Sequence, residues 1–462
     1  MGISNDILIR LTKSEIREKP LNERKNKMKK NIILLASALL VLSACDKTPA
    51  GTSGETSTPT EASEVITPTK DGAITLKTNK DGEEVTIIEE QVQAYVDAMY
   101  AADEEAAPTE DEKWELRQVS RDEYPDTYLC KGVDAKTFRD TGDKDKDNFE
   151  KFDLTWDAYE GATGYKVYLD TDKDFSEGAT TFEVTEPSVE MNNLFCDSTY
   201  FWKVETADGA HDSAIGSFKT KGHFRNINAA PAYNVRDIGG KHTRDGKRIK
   251  QGLIYRGSEL VDEEILKSMS GHGLTLNDEN KAIFKDELHI GFEFDLRKAD
   301  AIGTQQGSSL GSDVEYERLA LGSFADLWNN ISTADLKRSV EIFKNATPDK
   351  AVYCHCWGGA DRTGTLIFIL EATLGISFLE ACMDYEFTSF DNGAHQRYRD
   401  RKVDNYDFPK FIKAVFNCQE YAEGKPLKDI CEEWMLDRGV EQEDIDALRE
   451  NLLEPIPGYV AE

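Results

Sequence analysis

The period of hydrophobic and polar positions changes several times along this chain, and each change predicts a boundary. Ile32 to Leu42 is an apolar run too short to span a bilayer as a mature helix. Residues 46–69 are rich in Thr, Ser, Gly, Pro and Glu, lack the apolar residues a core requires, and read as a flexible tether. Within 70–118, Ala73 to Leu76 alternates like a strand, whereas Val92, Tyr95, Val96 and Met99 fall at helical spacing. An acidic run from Asp103 to Glu112 follows, and the whole segment reads as a solvated connector or small appended element. Residues 119–222 hold short alternating segments, Leu154–Trp156, Tyr165–Leu169 and Tyr200–Val204, separated by Gly, Asp and Asn turns, which predicts an all-β sandwich.

From His223 to the C-terminus the pattern is that of an α/β domain with a central sheet flanked by helices. Gly291–Leu296 is a strand candidate, and Ser332-Thr333-Ala334-Asp335 is a capping box opening a helix with Leu336, Val340 and Phe343 on one face. Ala351–His355 is a buried-strand run, and Thr363–Leu374 is an apolar helix stopped by Gly375. The reading is therefore multidomain: an N-terminal sandwich and a C-terminal α/β domain over 223–462.

The net charge of −31 repels nucleic acid and anionic surfaces, so no nucleic-acid partner is expected. A phosphorylated substrate would be repelled too, unless its site supplies a local positive field. Met28-Lys29-Lys30, the apolar run, then Leu42-Ser43-Ala44-Cys45 follow the order of a signal peptide, with residues 1–27 as an upstream extension. The last four residues resemble a bacterial lipobox. That resemblance implies a lipid at Cys45 and a protein anchored to the membrane on the extracytoplasmic side of the cell envelope; a plain secretory signal or a short membrane anchor are the alternatives. Eight cysteines in 462 residues do not suggest a disulfide scaffold. A Cys130–Cys196 pair and a protective Cys354–Cys356 bridge stay open, the latter beside the reading of Cys354 as a small core residue.

The chemistry concentrates at residues 355–364, His-Cys-Trp-Gly-Gly-Ala-Asp-Arg-Thr-Gly. A strand ends at His355, Cys356 opens a loop, and Arg362 closes it as a helix begins. Gly358 and Gly359 let backbone N–H groups turn inward together, and the helix N-terminus adds its positive end. Trp357 to Arg362 thus form a cradle for a tetrahedral oxyanion, with Arg362 as a fork for two oxygens. The same field favours the thiolate of Cys356, which is then placed to attack phosphorus. No metal or cofactor is required, because the amides and Arg362 stabilise the charge. The leaving group needs a proton, and two carboxylates are candidates: Asp361 within the loop, and Asp326 about thirty residues upstream. Thr363 can stabilise the departing thiolate or cap the helix. His355 points away from the nucleophile and orients the loop. Trp357 is either a rim residue or a packed core tryptophan.

This loop resembles that of the bacterial tyrosine and dual-specificity phosphatases, whose motif often reads His-Cys-x-x-Gly-Lys-Asp-Arg-Thr-Gly. Asn234-Val235-Arg236-Asp237-Ile238-Gly239-Gly240, Gly252-Leu253-Ile254-Tyr255-Arg256 and Asp295-Leu296-Arg297 are similar to that branch's other segments. The resemblance implies Cys356 as nucleophile, Arg362 as phosphate binder, Asp361 as a proposed acid, and Arg236, Asp237, Asp295 and Arg297 as supports. Ala360 stands where the branch commonly has lysine, which removes a charge and puts phosphoinositide activity in doubt. In the sandwich, Trp156, Tyr165, Leu194 and Tyr200 resemble the core pattern of a fibronectin type III module, with another immunoglobulin-like sandwich as the alternative; a protein or glycan partner would suit it. Three functions remain open: a phosphatase for protein phosphotyrosine or phosphoserine/threonine, a phosphatase for sugar or inositol phosphates, and a non-catalytic surface binding protein.

Overall fold

The computed structural model describes residues 71–106, 133, 135–138, 149–176, 179–269, 275–391, 408–417 and 426–456. The expectations for the signal segment, Cys45, the tether and Cys130 lie outside these residues. Among the described residues no helix is long and apolar enough to cross a membrane.

Seven strands build the N-terminal sandwich: β1 (Glu83–Val85), β2 (Phe152–Thr155), β3 (Tyr165–Asp170), β4 (Thr180–Val184), β5 (Ser188–Met191), β6 (Thr199–Thr206) and β7 (Gly216–Thr220). Five form one sheet in the order β1-β7-β6-β3-β4, and β2 pairs with β5 in the other. Strict alternation makes this possible. Every second residue of β3 and β6 is buried, so Val167, Leu169, Trp202 and Val204 meet Leu154, Trp156 and Met191 between the sheets. Each such side chain contributes about 1.5–3 kcal/mol by leaving water. The Phe195 N–H donates to Tyr200 Oη at 2.8 Å and pins the corner before β6.

The segment expected to be a solvated connector is not solvated. β1 runs parallel to β7, with Val85 opposite Thr220, and Ile74, Leu76 and Ile87 enter the sandwich core. Helix α1 (Glu90–Ala106) then buries Val92, Tyr95, Val96 and Met99 in the core of the C-terminal domain. Ala135 and Phe138, on a short helix inside the span assigned to the sandwich, pack into that same core. The acidic outer face of α1 disguised this in sequence, and the partner of β1 lies too far along the chain for local pattern to show it.

The C-terminal domain is built on a six-stranded sheet of β8 (Arg225–Asn226), β9 (Arg236–Asp237), β11 (Ile254–Gly257), β12 (Ile290–Asp295), β13 (Glu315–Arg318) and β14 (Ala351–His355), in the order β13-β12-β14-β11-β9-β8. The four strands β13, β12, β14 and β11 are parallel. A separate ribbon pairs β10 (Lys247–Ile249) with β15 (Leu453–Pro455). The longer helices described are α2 (Phe324–Asn330), α3 (Thr333–Lys344), α4 (Asp361–Leu374), α5 (Phe378–Glu386), α6 (Phe408–Asn417), α7 (Leu427–Asp437) and α8 (Gln442–Leu452). β14 is buried on both faces: Val352, Cys354 and Cys356 join the core that contains α4, while Ala351 and Tyr353 join the core on the other side. A parallel strand covered on both faces reads as a continuous apolar run, which is what residues 351–354 show.

Candidate active site

The site lies at the C-terminal end of β14, the edge of a parallel sheet where loops gather. Residues 357–360 form a tight loop between β14 and α4. Its shape follows from where its carbonyls go. Nδ1 of His355 lies 3.0 Å from the Cys356 carbonyl. The Glu259 N–H donates to the Trp357 carbonyl at 2.9 Å. Asn234 Nδ2 donates to the Gly358 carbonyl at 2.9 Å, and Arg256 Nη2 donates to the Gly359 carbonyl at 2.6 Å. Four successive carbonyls are thus fastened on the outside. In a planar trans peptide the next residue's N–H points the opposite way, so the amides of 357–360 turn to the side the loop encloses. Gly359 makes the bend at φ 64°, and a Cβ there would lie 2.3 Å from the Gly257 carbonyl oxygen, so no larger residue fits.

Two buried networks hold those anchors. In the first, Asp384 of α5 accepts from Arg236 Nε at 2.9 Å and from Arg256, while Lys241 Nζ lies 3.5 Å away. Arg236 also reaches Asn234 Oδ1 at 2.5 Å, so both loop-holding side chains trace back to one carboxylate. Burial alone would raise the Asp384 pKa, but Arg236, Arg256 and Lys241 outweigh it and hold the carboxyl far below the usual range. Burial and the charge of Asp384 push neighbouring Glu371 up to about 8. Lys241 Nζ lies 3.0 Å from Glu371 Oε1, without the alignment of a hydrogen bond.

In the second network His355 Nε2 lies 3.0 Å from Glu293 Oε1. A carbonyl and a carboxylate flank the ring, and both accept, so the imidazolium form serves both. Burial would lower its pKa, but Asp295 and Glu293 reverse the sign and raise it. Asp295 accepts from Arg297 and from Tyr316 Oη at 2.8 Å, and Arg297 Nη1 donates to Glu259 at 2.7 Å. Asp237 sits further back, accepting from Arg225, Gly239 N–H and Gly252 N–H. None of Arg236, Asp237, Asp295 and Arg297 is exposed; each acts on the loop through another residue.

Cys356 is 4% exposed at the mouth of the loop. Among the described residues, Arg362 has no hydrogen-bond or ion-pair partner, which leaves its five donors for a ligand. Thr363 Oγ1 is buried without a partner. Trp357 is 46% exposed and is therefore a rim residue. Asp361, at the first position of α4, is partly exposed, and Asp326, in the first turn of α2, is exposed. The two are brought to one end of α4: Phe324 N–H donates to Thr365 Oγ1 at 2.9 Å, which donates to the Asp361 carbonyl at 2.7 Å. Asp326 Oδ1 accepts from Asn330 Nδ2 at 2.9 Å.

Among the described residues neither cysteine bridge is formed. Cys354 and Cys356 are free thiols, and burial first of all pushes Cys354 well up. Cys196 is free as well, with both its N–H and its Sγ engaged by Gln251 Oε1, at 2.8 and 3.1 Å, and its pKa pushed up to about 12 chiefly by burial. Among the described residues no cluster of His, Cys, Asp and Glu is arranged to hold a metal ion. Sequence reasoning missed Asn234, Arg256, Glu259, Glu293 and Asp384. The first two sat inside motifs already noted; the three carboxylates carry no spacing signal.

Residues 227–454, a little under half of the chain, match the model of the tyrosine phosphatase family. This half is a tyrosine-phosphatase-like phosphoester hydrolase. No curated protein matches the chain. Solved structures similar to it include TpbA of P. aeruginosa, at 13% identity over 48% of this chain and 98% of that one, with a TM-score of 0.24. The core catalytic domain of the PP-IP phosphatase SIW14 of S. cerevisiae matches at 17% identity over 35% of this chain and 78% of that one, with a TM-score of 0.22. PTPMT1 in complex with PI(5)P matches at 11% over 42% and 97%, also at 0.22. The phosphatase domain thus contains the loop, both networks and both aspartates.

Proposed function

We propose that the phosphatase domain hydrolyses phosphomonoesters through a phosphocysteine intermediate, with protein phosphotyrosine as its substrate. The observation that carries this reading is the row of four externally fastened carbonyls, which turns the loop amides toward the space between Cys356 and Arg362. In the first step the Cys356 thiolate attacks phosphorus, an S–P bond forms, and the P–O bond to the leaving group breaks. The leaving oxygen takes a proton from Asp361 or Asp326. Arg362 and the amides hold the three equatorial oxygens. In the second step water gives its proton to that same carboxylate, attacks phosphorus, and releases phosphate while Cys356 recovers its electron pair. The unpartnered Thr363 hydroxyl is suited to donate to that departing sulfur.

Ala360 leaves the loop without a second cation, and Trp357 offers an apolar rim. Both favour a monoester on a flat aromatic group over a polyanionic inositol phosphate. The buried Trp156, Tyr165, Leu194 and Tyr200, with the Tyr200 corner, support a fibronectin type III-like sandwich. The order of segments ending at Cys45 supports a lipid-anchored protein of the bacterial cell envelope, with host, environmental or envelope phosphoproteins as targets. The test is a substrate panel of phosphotyrosine and phosphoserine peptides, inositol phosphates, phosphoinositides and sugar phosphates. Turnover is expected on phosphotyrosine and on aryl phosphates, with total loss in Cys356→Ser. Turnover confined to sugar or inositol phosphates overturns the substrate, and wild-type protein indistinguishable from Cys356→Ser overturns the mechanism.

A further inference from the structure

We infer that the sandwich and helix α1 are a built-in brace for the phosphate loop, with Tyr95 as its positioning residue. β1 and β7 are parallel neighbours at one edge of the sandwich, so the chain leaves that edge twice, side by side. The exit after β1 becomes α1, and the exit after β7 runs into Phe224. Both arrive at one place. Phe224 meets Phe387 edge-on at 4.6 Å between centroids, and Tyr95 meets Phe387 at 6.2 Å and Phe390 at 5.4 Å. Tyr95 is fully buried, and its hydroxyl donates to Glu386. Five residues further along α1, Tyr100 donates to Glu380.

The segment they clasp, 380–391, is the one that steers the loop. Asp384 lies two residues before Glu386 and holds Arg236 and Arg256. Asp391 follows Phe390, and its Oδ1 accepts from the Asn234 N–H at 3.3 Å. Asn234 and Arg256 in turn fasten the Gly358 and Gly359 carbonyls. The path from α1 to the loop is therefore continuous: Tyr95, Glu386 and Phe390, then Asp384 and Asp391, then Asn234 and Arg256. A second attachment runs through Arg225, which donates to the Asn193 and Leu194 carbonyls of the sandwich and to Asp237 of the phosphatase domain. A module swinging on a linker would not spend a buried arginine and a buried tyrosine on such contacts. A small displacement of α5 would move two loop carbonyls and, with them, the amides that face the oxyanion.

This inference rests on the phosphatase reading, so its test uses two separable readouts on the full chain: turnover of an aryl phosphate, and binding of inorganic phosphate and vanadate by calorimetry. Tyr95→Phe removes one oxygen. It is expected to lower kcat about tenfold with KM within twofold, and to weaken vanadate more than phosphate, because vanadate requires transition-state geometry. Glu386→Gln keeps an acceptor for Tyr95 and is expected to stay within about threefold of wild type. Ile445→Val, buried on α8 and outside this path, is the control: it lowers the melting temperature and leaves kcat unchanged. Tyr95→Phe that matches wild type in kcat and vanadate affinity overturns the brace, as does Ile445→Val that loses as much activity. If wild type turns over nothing, the function reading fails while the vanadate comparison still decides the brace.

Discussion

At the scale of single residues, the open chemical question is which aspartate gives the leaving group its proton. Asp361 and Asp326 reach the same end of α4 from different loops, joined through Thr365. Losing a general acid costs roughly 10²–10⁴ in rate, and costs least when the leaving group is already stable as an anion. The two variants Asp361→Asn and Asp326→Asn therefore separate cleanly. The true donor, once replaced, is expected to cripple turnover of a phosphotyrosine peptide while sparing p-nitrophenyl phosphate; the other variant treats both substrates alike. The loop residues themselves were readable in sequence because they are contiguous: a strand, two glycines, an arginine and a helix impose one geometry. The anchors were not. Arg256 and Asp384 are buried charges with partners far away along the chain, and nothing in local spacing distinguishes a buried arginine from an exposed one.

At the scale of elements, α5 is the hinge of the arrangement, since Asp384 alone receives Arg236, Arg256 and the approach of Lys241. Asp384→Asn removes the anion and leaves buried cations facing one another. Breaking such a pair costs about 3–5 kcal/mol, so a marked fall in the denaturation midpoint is expected, together with weaker phosphate binding. A midpoint unchanged from wild type would show that the network does not hold the domain together. Strand β14 and helix α4 were legible because a short continuous apolar run gives way to a longer apolar helical run across one glycine loop. β1 was not, because its pairing with β7 joins segments separated by the entire sandwich. α1 showed its helical spacing in sequence, yet its acidic face suggested solvent where the opposite face is buried.

At the scale of the whole molecule, pH acts on stability through His355. Its pKa is raised in the folded protein, so the stabilisation it supplies is complete below the unfolded value of about 6.5 and is lost as pH rises through the folded value. Comparing His355→Gln with wild type, the difference in melting temperature is expected to be large near pH 6 and to shrink in alkaline buffer; a difference that grows with pH would contradict the imidazolium assignment. The distribution of indoles has an optical consequence. Trp156, Trp202, Trp328 and Trp434 are buried, and Trp357 alone among the described tryptophans faces water, at the rim of the phosphate loop. Among the described tryptophans, emission that a neutral collisional quencher such as acrylamide can reach therefore comes from Trp357, at the mouth of the site. A docked ligand shields it, and the protein carries its own fluorescent reporter of occupancy without any dye.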